Sequence, residues 1–298
     1  MKKLLSRIYY QVVKINRFFR IRHILFKNRK YTIVWMYPHI GDAFYALPYI
    51  NRYKEIHNVN ICLIGHKKYQ FLYDLFEGID KYYLLDEVGV FGLTVSHIGP
   101  LTRRLLFRKI KKGQYISNDY NLMHRLYPNH QCATMQEFTK KYIYQLNDEP
   151  ITYPSAHEKK LNDKPYIIIS PYAKTAKDVP SDVFEKLVKA LQKKYVIYSN
   201  VTPNQKEVEG TLRLECDILE LADYVMGAKA FIGLRSGACD LVGAMTNTKS
   251  YIFFNGYKND GFASVKDYRT NPESVVEFYG ADYQAYIETI INDINKNG

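Results

Sequence analysis

Short β-rich apolar runs recur along this chain, each followed by a stretch of helical periodicity. The repeat of about 30 residues is that of a βαβ unit. In the first series the strands are predicted over 31–36 (YTIVWM), 58–65 (NVNICLIG) and 81–86 (KYYLLD), with helices over 42–56 and 68–76. From 88 to 149 the pattern weakens, although 98–111 and 134–146 keep helical spacing. A second series follows, with strands over 166–170 (YIIIS), 195–199 (YVIYS), 230–234 (AFIGL) and 250–254 (SYIFF). Its helices are predicted over 181–194, with Ser181 as N-cap, and over 217–226, 236–245 and 273–295. Between the two series, 147–164 carries Asp148, Glu149, Pro150, Pro154, Asn162 and Asp163 without periodicity and reads as a linker. The expected architecture is α/β: two Rossmann-like domains, 31–150 and 151–298, facing across a cleft, behind a basic N-terminal helical segment over 1–30. Ligands of such sheets bind beyond the carboxyl ends of the strands. The loops to inspect are therefore 37–42, 171–180, 234–240 and 255–261.

With 298 residues, 47% of them apolar, the chain can bury the cores of two domains and is not a disordered protein. No run of eighteen apolar residues exists. The four cysteines (Cys62, Cys132, Cys216, Cys239) form no CxxC pair. That argues against a disulfide framework or a zinc knuckle and suits a reducing cytoplasm. The net charge of +12 is concentrated: residues 1–30 hold ten Lys or Arg and no acidic residue, leaving 32 basic against 30 acidic in the remainder. Apolar and aromatic residues alternate with these charges at helical spacing. Two readings stay open. A basic amphipathic helix is drawn to anionic headgroups by roughly 1 kcal/mol per Lys or Arg. Equally, a first helix packed on its own domain with a solvated basic face uses the same residues. Arg7 and Lys14 interrupt the apolar stretch and no small-residue cleavage site follows, so a secretory signal is not expected. Nor is nucleic acid expected as a partner, because the rest of the chain is close to neutral. The basic run over 103–112 reads as a solvated helix face.

Three patches carry possible chemistry. Pro38-His39-Ile40-Gly41-Asp42 leaves the first strand and opens a helix, placing Asp42 in a first turn, where an acid also simply complements the helix dipole. Ile232 to Asp240 (IGLRSGACD) is a strand–turn–helix with little side-chain bulk. Its leading amides at Ser236-Gly237 suit an anion and Arg235 could add a bidentate donor, or Ser236 could be an N-cap only. Ser170 to Pro180 (SPYAKTAKDVP) joins a strand to a helix and carries Tyr172, Lys174 and Lys177, which could meet a diphosphate or be ordinary loop residues.

Taken in order, the three patches resemble glycosyltransferase family 9, the heptosyltransferase-like enzymes. The pattern there is strand, I-G-D, and a proline some residues on; here it is Ile40-Gly41-Asp42 with Pro48. The family's K-x-W-P before a helix corresponds to Lys177-Asp178-Val179-Pro180, with Val179 for tryptophan. Its F-I-G-x-x-S-G corresponds to Phe231-Ile232-Gly233-Leu234-Arg235-Ser236-Gly237. Two departures stand out: the family has an acidic residue before Ser-Gly and a histidine after, where this chain has Arg235 and Asp240. Read from the sequence, that swap inverts the local charge and marks a divergent relative.

The resemblance implies a GT-B glycosyltransferase that takes a sugar from a nucleotide diphosphate in the C-terminal half. The acceptor would be a cell-surface polysaccharide or lipid-linked glycan held by the N-terminal half. It further implies inversion at the anomeric centre, no metal and no cofactor. In that scheme Asp42 is the base, with His39 as the alternative. Lys177, Arg235, Ser236 and Gly237 hold the diphosphate, Asp240 contacts ribose or a sugar hydroxyl, and Tyr172 and Lys174 line the donor site. A cytoplasmic enzyme, peripheral at the inner face of the cell membrane through residues 1–30, would follow. Two rivals differ in class: a non-catalytic nucleotide- or phosphate-binding module docked to anionic membrane or RNA, and a nucleotide-sugar epimerase on the same fold.

Overall fold

The computed structural model describes residues 2–37, 39–86, 98–129, 131–147, 151–174, 176–257, 263–268 and 271–296. Pro38, Asp148 to Pro150, Thr175 and the 258–261 end of one inspected loop lie outside the described residues. The chain divides into two compact units, 1–152 and 153–298.

The first unit opens with α1 (Lys2–Lys27), a 26-residue helix whose side chains are described from residue 11. Then follow β1 (Thr32–Trp35), α2 (Ile40–Ala46), α3 (Tyr49–His57), β2 (Ile61–His66), α4 (Gln70–Tyr73) and β3 (Lys81–Leu85). After 98 come α5 (Pro100–Ile110), β4 (Tyr115–Ser117), α6 (Tyr120–Leu126), α7 (Met135–Phe138) and a π-helical turn (Thr139–Ile143). The four strands form one parallel sheet in the order β3-β2-β1-β4. β1 and β2 are buried along their whole length, as strands covered on both faces must be.

The predicted helix over 42–56 is two helices. Pro48 has no N–H to donate and its ring crowds the preceding turn, so the chain breaks at Leu47-Pro48 and restarts at Tyr49. The helix expected over 68–76 shrinks to α4 behind a 3₁₀ turn (Lys67–Tyr69), and that over 134–146 loosens into the π turn after one α-helical turn. Helix α1 answers the question left open by the sequence in part. Ile21, Ile24 and Asn28, at helical spacing, are 5%, 2% and 0% exposed, so one face of α1 packs on its own unit. Asn28 closes that end by donating to the Ile24 carbonyl (2.9 Å) and accepting from Lys81 Nζ (2.7 Å), which ties the helix to β3.

The second unit contains β5 (Tyr166–Ser170), α8 (Ser181–Leu191), β6 (Val196–Asn200), β7 (Leu212–Leu214), α9 (Ile218–Met226), β8 (Ala230–Leu234), α10 (Gly237–Met245), β9 (Ser250–Phe253), β10 (Val275–Phe278) and α11 (Tyr283–Lys296). All six strands are parallel, in the order β10-β9-β8-β5-β6-β7. One sheet face, with Ile167, Ile169, Ile232, Leu234 and Phe253, buries Val183, Phe184, Leu187, Val188 and Leu191 of α8 and Ile287, Ile290 and Ile294 of α11. The 3–4 residue spacing along α8 is what places those five side chains on one face.

Strands β4, β7 and β10 are not legible in the periodicity. Three-residue strands carry no alternation to detect. The predicted helix over 273–295 ran through β10, which pairs with β9 from Val275↔Ser250 to Phe278↔Phe253 and ends before Gly280. Pro180, not Ser181, occupies the N-cap position of α8, with Ser181 the first helical residue.

Because Ile24 is 2% exposed in the contact of α1 with its unit, Ile24→Ala should lower unfolding stability by about 2–4 kcal/mol. Ile15→Ala, at a 57% exposed position of the same helix, should change it by no more than about 0.5 kcal/mol. Urea denaturation followed by circular dichroism measures both, and equal effects would mean that α1 does not dock through this face.

Candidate functional site

In both sheets the order in which strands are laid down reverses once. In the first unit β2 and β3 lie on one side of β1 and β4 on the other; in the second, β6 and β7 lie on one side of β5 and β8 on the other. Connections leaving such neighbouring strands diverge to opposite faces and open a crevice at their carboxyl ends, which is where parallel α/β sheets hold ligands. Each of the three sequence patches falls at one of these two reversals.

In the first unit, the loop after β1 carries His39 and the first turn of α2 carries Asp42. His39 Nδ1 stands 3.4 Å from Asp42 Oδ2, and the side chains are 46% and 24% exposed. The pair is thus brought together at the surface end of a buried strand. Tyr37 packs edge-on against His39, with ring centroids 5.0 Å apart. The loop after β4 supplies residues that the sequence did not single out. Asn118, 1% exposed, accepts from the Tyr37 amide and donates to the Asp42 carbonyl (2.7 Å), so a single side chain spans the turn that presents Asp42. Asp119, also 1% exposed, caps α6 by accepting from the Leu122 amide (3.1 Å). Burial, then the carboxylates of Asp119 and Asp42, hold the Tyr37 hydroxyl above the ordinary phenol range, so it stays protonated. Asn-Asp after a short strand looks like any turn in sequence. Only the pairing of β4 with β1 makes Asn118 a neighbour of Asp42.

In the second unit, the reversal lies between β5 and β8, which pair from Ile167↔Ala230 to Ser170↔Gly233. After β8, Ser236 occupies the N-cap position of the nine-residue α10 but makes no side-chain cap hydrogen bond. The leading amides of Gly237 and Ala238 therefore lack the side-chain acceptor that a capped helix provides. After β5, Lys177 is exposed, and its amide donates to the Asn255 carbonyl (3.1 Å). Asn255 Nδ2 returns a bond to the Asp178 carbonyl (2.6 Å). Gly256 sits at φ +84°, and a Cβ there would come within 2.9 Å of Lys177 Cγ. The glycine thus lets the lysine stem lie flat along the loop after β9. Lys174 is exposed, and Tyr172 gives its hydroxyl proton to the Lys206 carbonyl (2.7 Å), outside the α10 turn.

Arg235 and Asp240 differ most from expectation. Their expected contacts are with a diphosphate and with ribose or a sugar hydroxyl; the structure shows that they also bind each other. Arg235 Nη2 lies 2.6 Å from Asp240 Oδ1 and Nη1 lies 2.9 Å from Oδ2, a bidentate fork, with 7% and 5% of the side chains exposed. Nη1 also donates to the Ser236 carbonyl (2.8 Å), and Nε to the Ala263 carbonyl (3.3 Å). Burial opposes the charge on Arg235, and Asp240 more than offsets it, holding the guanidinium above its ordinary range. The apparent charge inversion is therefore an internal ion pair, neutral as a unit, that braces the turn before α10. Removing one partner leaves a buried charge unpaired. Arg235→Ala and Asp240→Ala should each cost about 3–5 kcal/mol, while Arg235→Met combined with Asp240→Leu should recover most of that loss. Chemical denaturation of the four proteins measures this, and an additive double variant would mean that the two charges are not coupled.

Among the described residues, no group of three His, Cys, Asp or Glu side chains converges as metal ligands do. No protein-family profile matches the chain, and no curated protein matches it in sequence. Solved structures do match. Against the Escherichia coli ADP-heptose LPS heptosyltransferase II the TM-score is 0.57 at 13% identity, covering 89% of this chain and 97% of that one. The E. coli heptosyltransferase WaaC with ADP gives 0.57 at 10% identity, covering 89% and 99%. A glycosyl transferase family 9 protein from Veillonella parvula gives 0.54 at 13%, covering 87% and 88%. At such identities the likeness is one of fold: this chain has the α/β fold, with two parallel sheets, of GT-B glycosyltransferases.

Proposed function

We propose that the protein is a glycosyltransferase that moves a sugar from a nucleotide-diphosphate donor to a polysaccharide or lipid-linked glycan, with inversion and without a metal. One observation carries the reading. The reversal of the 153–298 sheet presents the uncapped amides of α10 and the Lys177 loop, whereas the reversal of the 1–152 sheet presents a carboxylate–imidazole pair. The first set suits a departing diphosphate and the second suits an acceptor hydroxyl. Two of the structures sharing the fold are named for ADP-heptose or hold ADP, which supports a nucleotide-sugar donor.

In the proposed reaction the acceptor oxygen attacks the anomeric carbon as the bond from that carbon to the diphosphate oxygen breaks. The acceptor proton passes to Asp42, which His39 holds at 3.4 Å. A carboxylate is a far weaker base than an alkoxide, so the proton moves late, once the attacking oxygen has become acidic. The electron pair of the broken bond leaves on the diphosphate, whose charge is met by Lys177 and the amides of Gly237 and Ala238. Arg235 and Asp240 act one step removed, by fixing the Ser236 turn. Tyr172 and Lys174 border the donor loop. Delivery to an anionic membrane surface by residues 1–30, at the cytoplasmic face, completes the reading.

Thermal melting with UDP, GDP, CDP, ADP and dTDP in the presence of EDTA should show stabilisation by one of them, since a ligand bound only by the folded state raises the melting temperature. Lys177→Ala should weaken that nucleotide about tenfold or more. Asp42→Asn should keep nucleotide binding and lower transfer about 10²–10⁴-fold. No nucleotide effect at saturating concentration would sink the transferase. Nucleotide binding with Asp42 dispensable would favour a binding module, and donor turnover without any acceptor would favour an epimerase.

A further inference from the structure

Helix α1 has a second apolar face, opposite the one that docks it. Val12, Ile15, Phe19 and Phe26 are 58%, 57%, 59% and 65% exposed. At about 100° per residue they fall within an arc of about 60°, on the side away from Ile21, Ile24 and Asn28. A helix that merely packs on its own domain has no use for two exposed phenylalanines and two exposed β-branched residues in line. Leu101, at the start of α5 and 67% exposed, adds a fifth apolar side chain on the helix that adjoins α1. There, a Cβ at Gly99, the N-cap of α5, would stand in ordinary contact with Lys14 at 3.7 Å.

Beside this stripe lies an open cavity of about 490 Å³ between α1 and α5. Its apolar wall is Phe19, Leu25, Phe26 and Leu105. Its polar lining is Arg22, His23, Arg29 and Lys109, with no acidic residue. Arg29 stacks its guanidinium over the Phe26 ring at 5.0 Å, and Lys109 donates to Gln114 (2.8 Å) while retaining further ammonium protons. An apolar trough whose charged lining residues, Arg22, Arg29 and Lys109, are all cations is complementary to one chemical class, an amphiphile with an anionic head.

We propose that α1 and α5 form an insertion site for anionic phospholipid. Val12, Ile15, Phe19 and Phe26 enter the headgroup–acyl boundary, and the trough between the helices receives the chain of a lipid whose phosphate meets Arg22, Arg29 and Lys109. This deepens the membrane element of the reading above: attachment depends on shape and apolar burial at named residues, not on the positive charge of the N-terminus alone. Among the described residues no helix is long and apolar enough to cross a membrane, so the contact is interfacial.

The test is co-sedimentation of the full-length protein with phosphatidylcholine vesicles, alone or with about one third phosphatidylglycerol. Phe19→Ser combined with Phe26→Ser keeps every charge; Arg22→Gln combined with Arg29→Gln keeps the apolar stripe. All four positions are exposed, and unchanged melting curves verify the fold. The wild type should bind the phosphatidylglycerol vesicles and retain part of that binding in high salt. The phenylalanine pair should lower partitioning about tenfold or more and abolish the salt-resistant part. The arginine pair should remove the preference for phosphatidylglycerol. Wild-type affinity in the phenylalanine pair would overturn the proposal in favour of charge attraction alone, and so would absence of wild-type binding to either vesicle. A dimer in sedimentation velocity that dissolves in the phenylalanine pair would also overturn it, assigning the face to a second copy of the chain. Nucleotide-induced stabilisation is measured on the same variants. Absent vesicle binding by the wild type with an intact nucleotide response overturns the lipid site only, whereas an absent nucleotide response in wild type and variants alike overturns the transferase reading.

Discussion

Parallel pairing governs this molecule. Every described strand in both sheets runs in the same direction as its hydrogen-bonded neighbours, so each return must travel back along the sheet, mostly through a helix and between β6 and β7 through a loop. The helical crossovers cover the central strands and demand the continuous apolar runs seen in Ile61–His66 and Tyr166–Ser170. They also collect every strand's carboxyl end at one edge. Polar side chains cannot be placed along such strands without burying them, which leaves the loops at that edge as the place for chemistry. His39, Asp42 and Asn118 gather at one reversal, and the Ser236 turn and Lys177 flank the other, because the strands leave few alternatives.

That same constraint explains what could be read in advance. The apolar runs of β1, β2, β5, β8 and β9 are legible because burial on both faces writes itself into composition, while the partly open β3 and β6 show through their aromatic and branched residues. Three-residue strands such as Tyr115–Ser117 and Leu212–Leu214 borrow their definition from a neighbour already in place, and their own residues hold too little pattern. Val275–Phe278 is half-covered, buried at its ends and partly open at Val276 and Glu277, and so blends into the helical periodicity that follows it. Tertiary context also decided helix lengths: Pro48 ends α2 by covalent geometry, a local rule that the apolar spacing on either side obscured.

The candidate residues divide along similar lines. Asp42 and His39 are neighbours in sequence, and a helix start places them together whatever the rest of the fold does. Asn118 becomes their neighbour only through the β1–β4 pairing, a relation across 76 residues that no local signal encodes. For Arg235 the residue type signals an anionic partner, and the structure shows one such partner in Asp240. A guanidinium beside a Ser-Gly turn suits a phosphate, and five residues on, in the first turn of α10, stands the carboxylate that it grips. In sequence, donor and acceptor are equally visible; burial determines which partner each one finds.

The Arg235–Asp240 fork also bears on how such a turn can change over generations. A lone charge reversal at either position strands its counterpart in a site with almost no solvent, so single steps pass through an unstable intermediate. Related sequences should therefore carry the two positions as an inherited couple, both ionic or both replaced, and an acidic residue before the Ser-Gly should arrive only with a matching cation in the helix behind it. The turn would behave as one heritable character written at two sites, and efforts to graft a different donor preference onto this scaffold would have to exchange both letters at once.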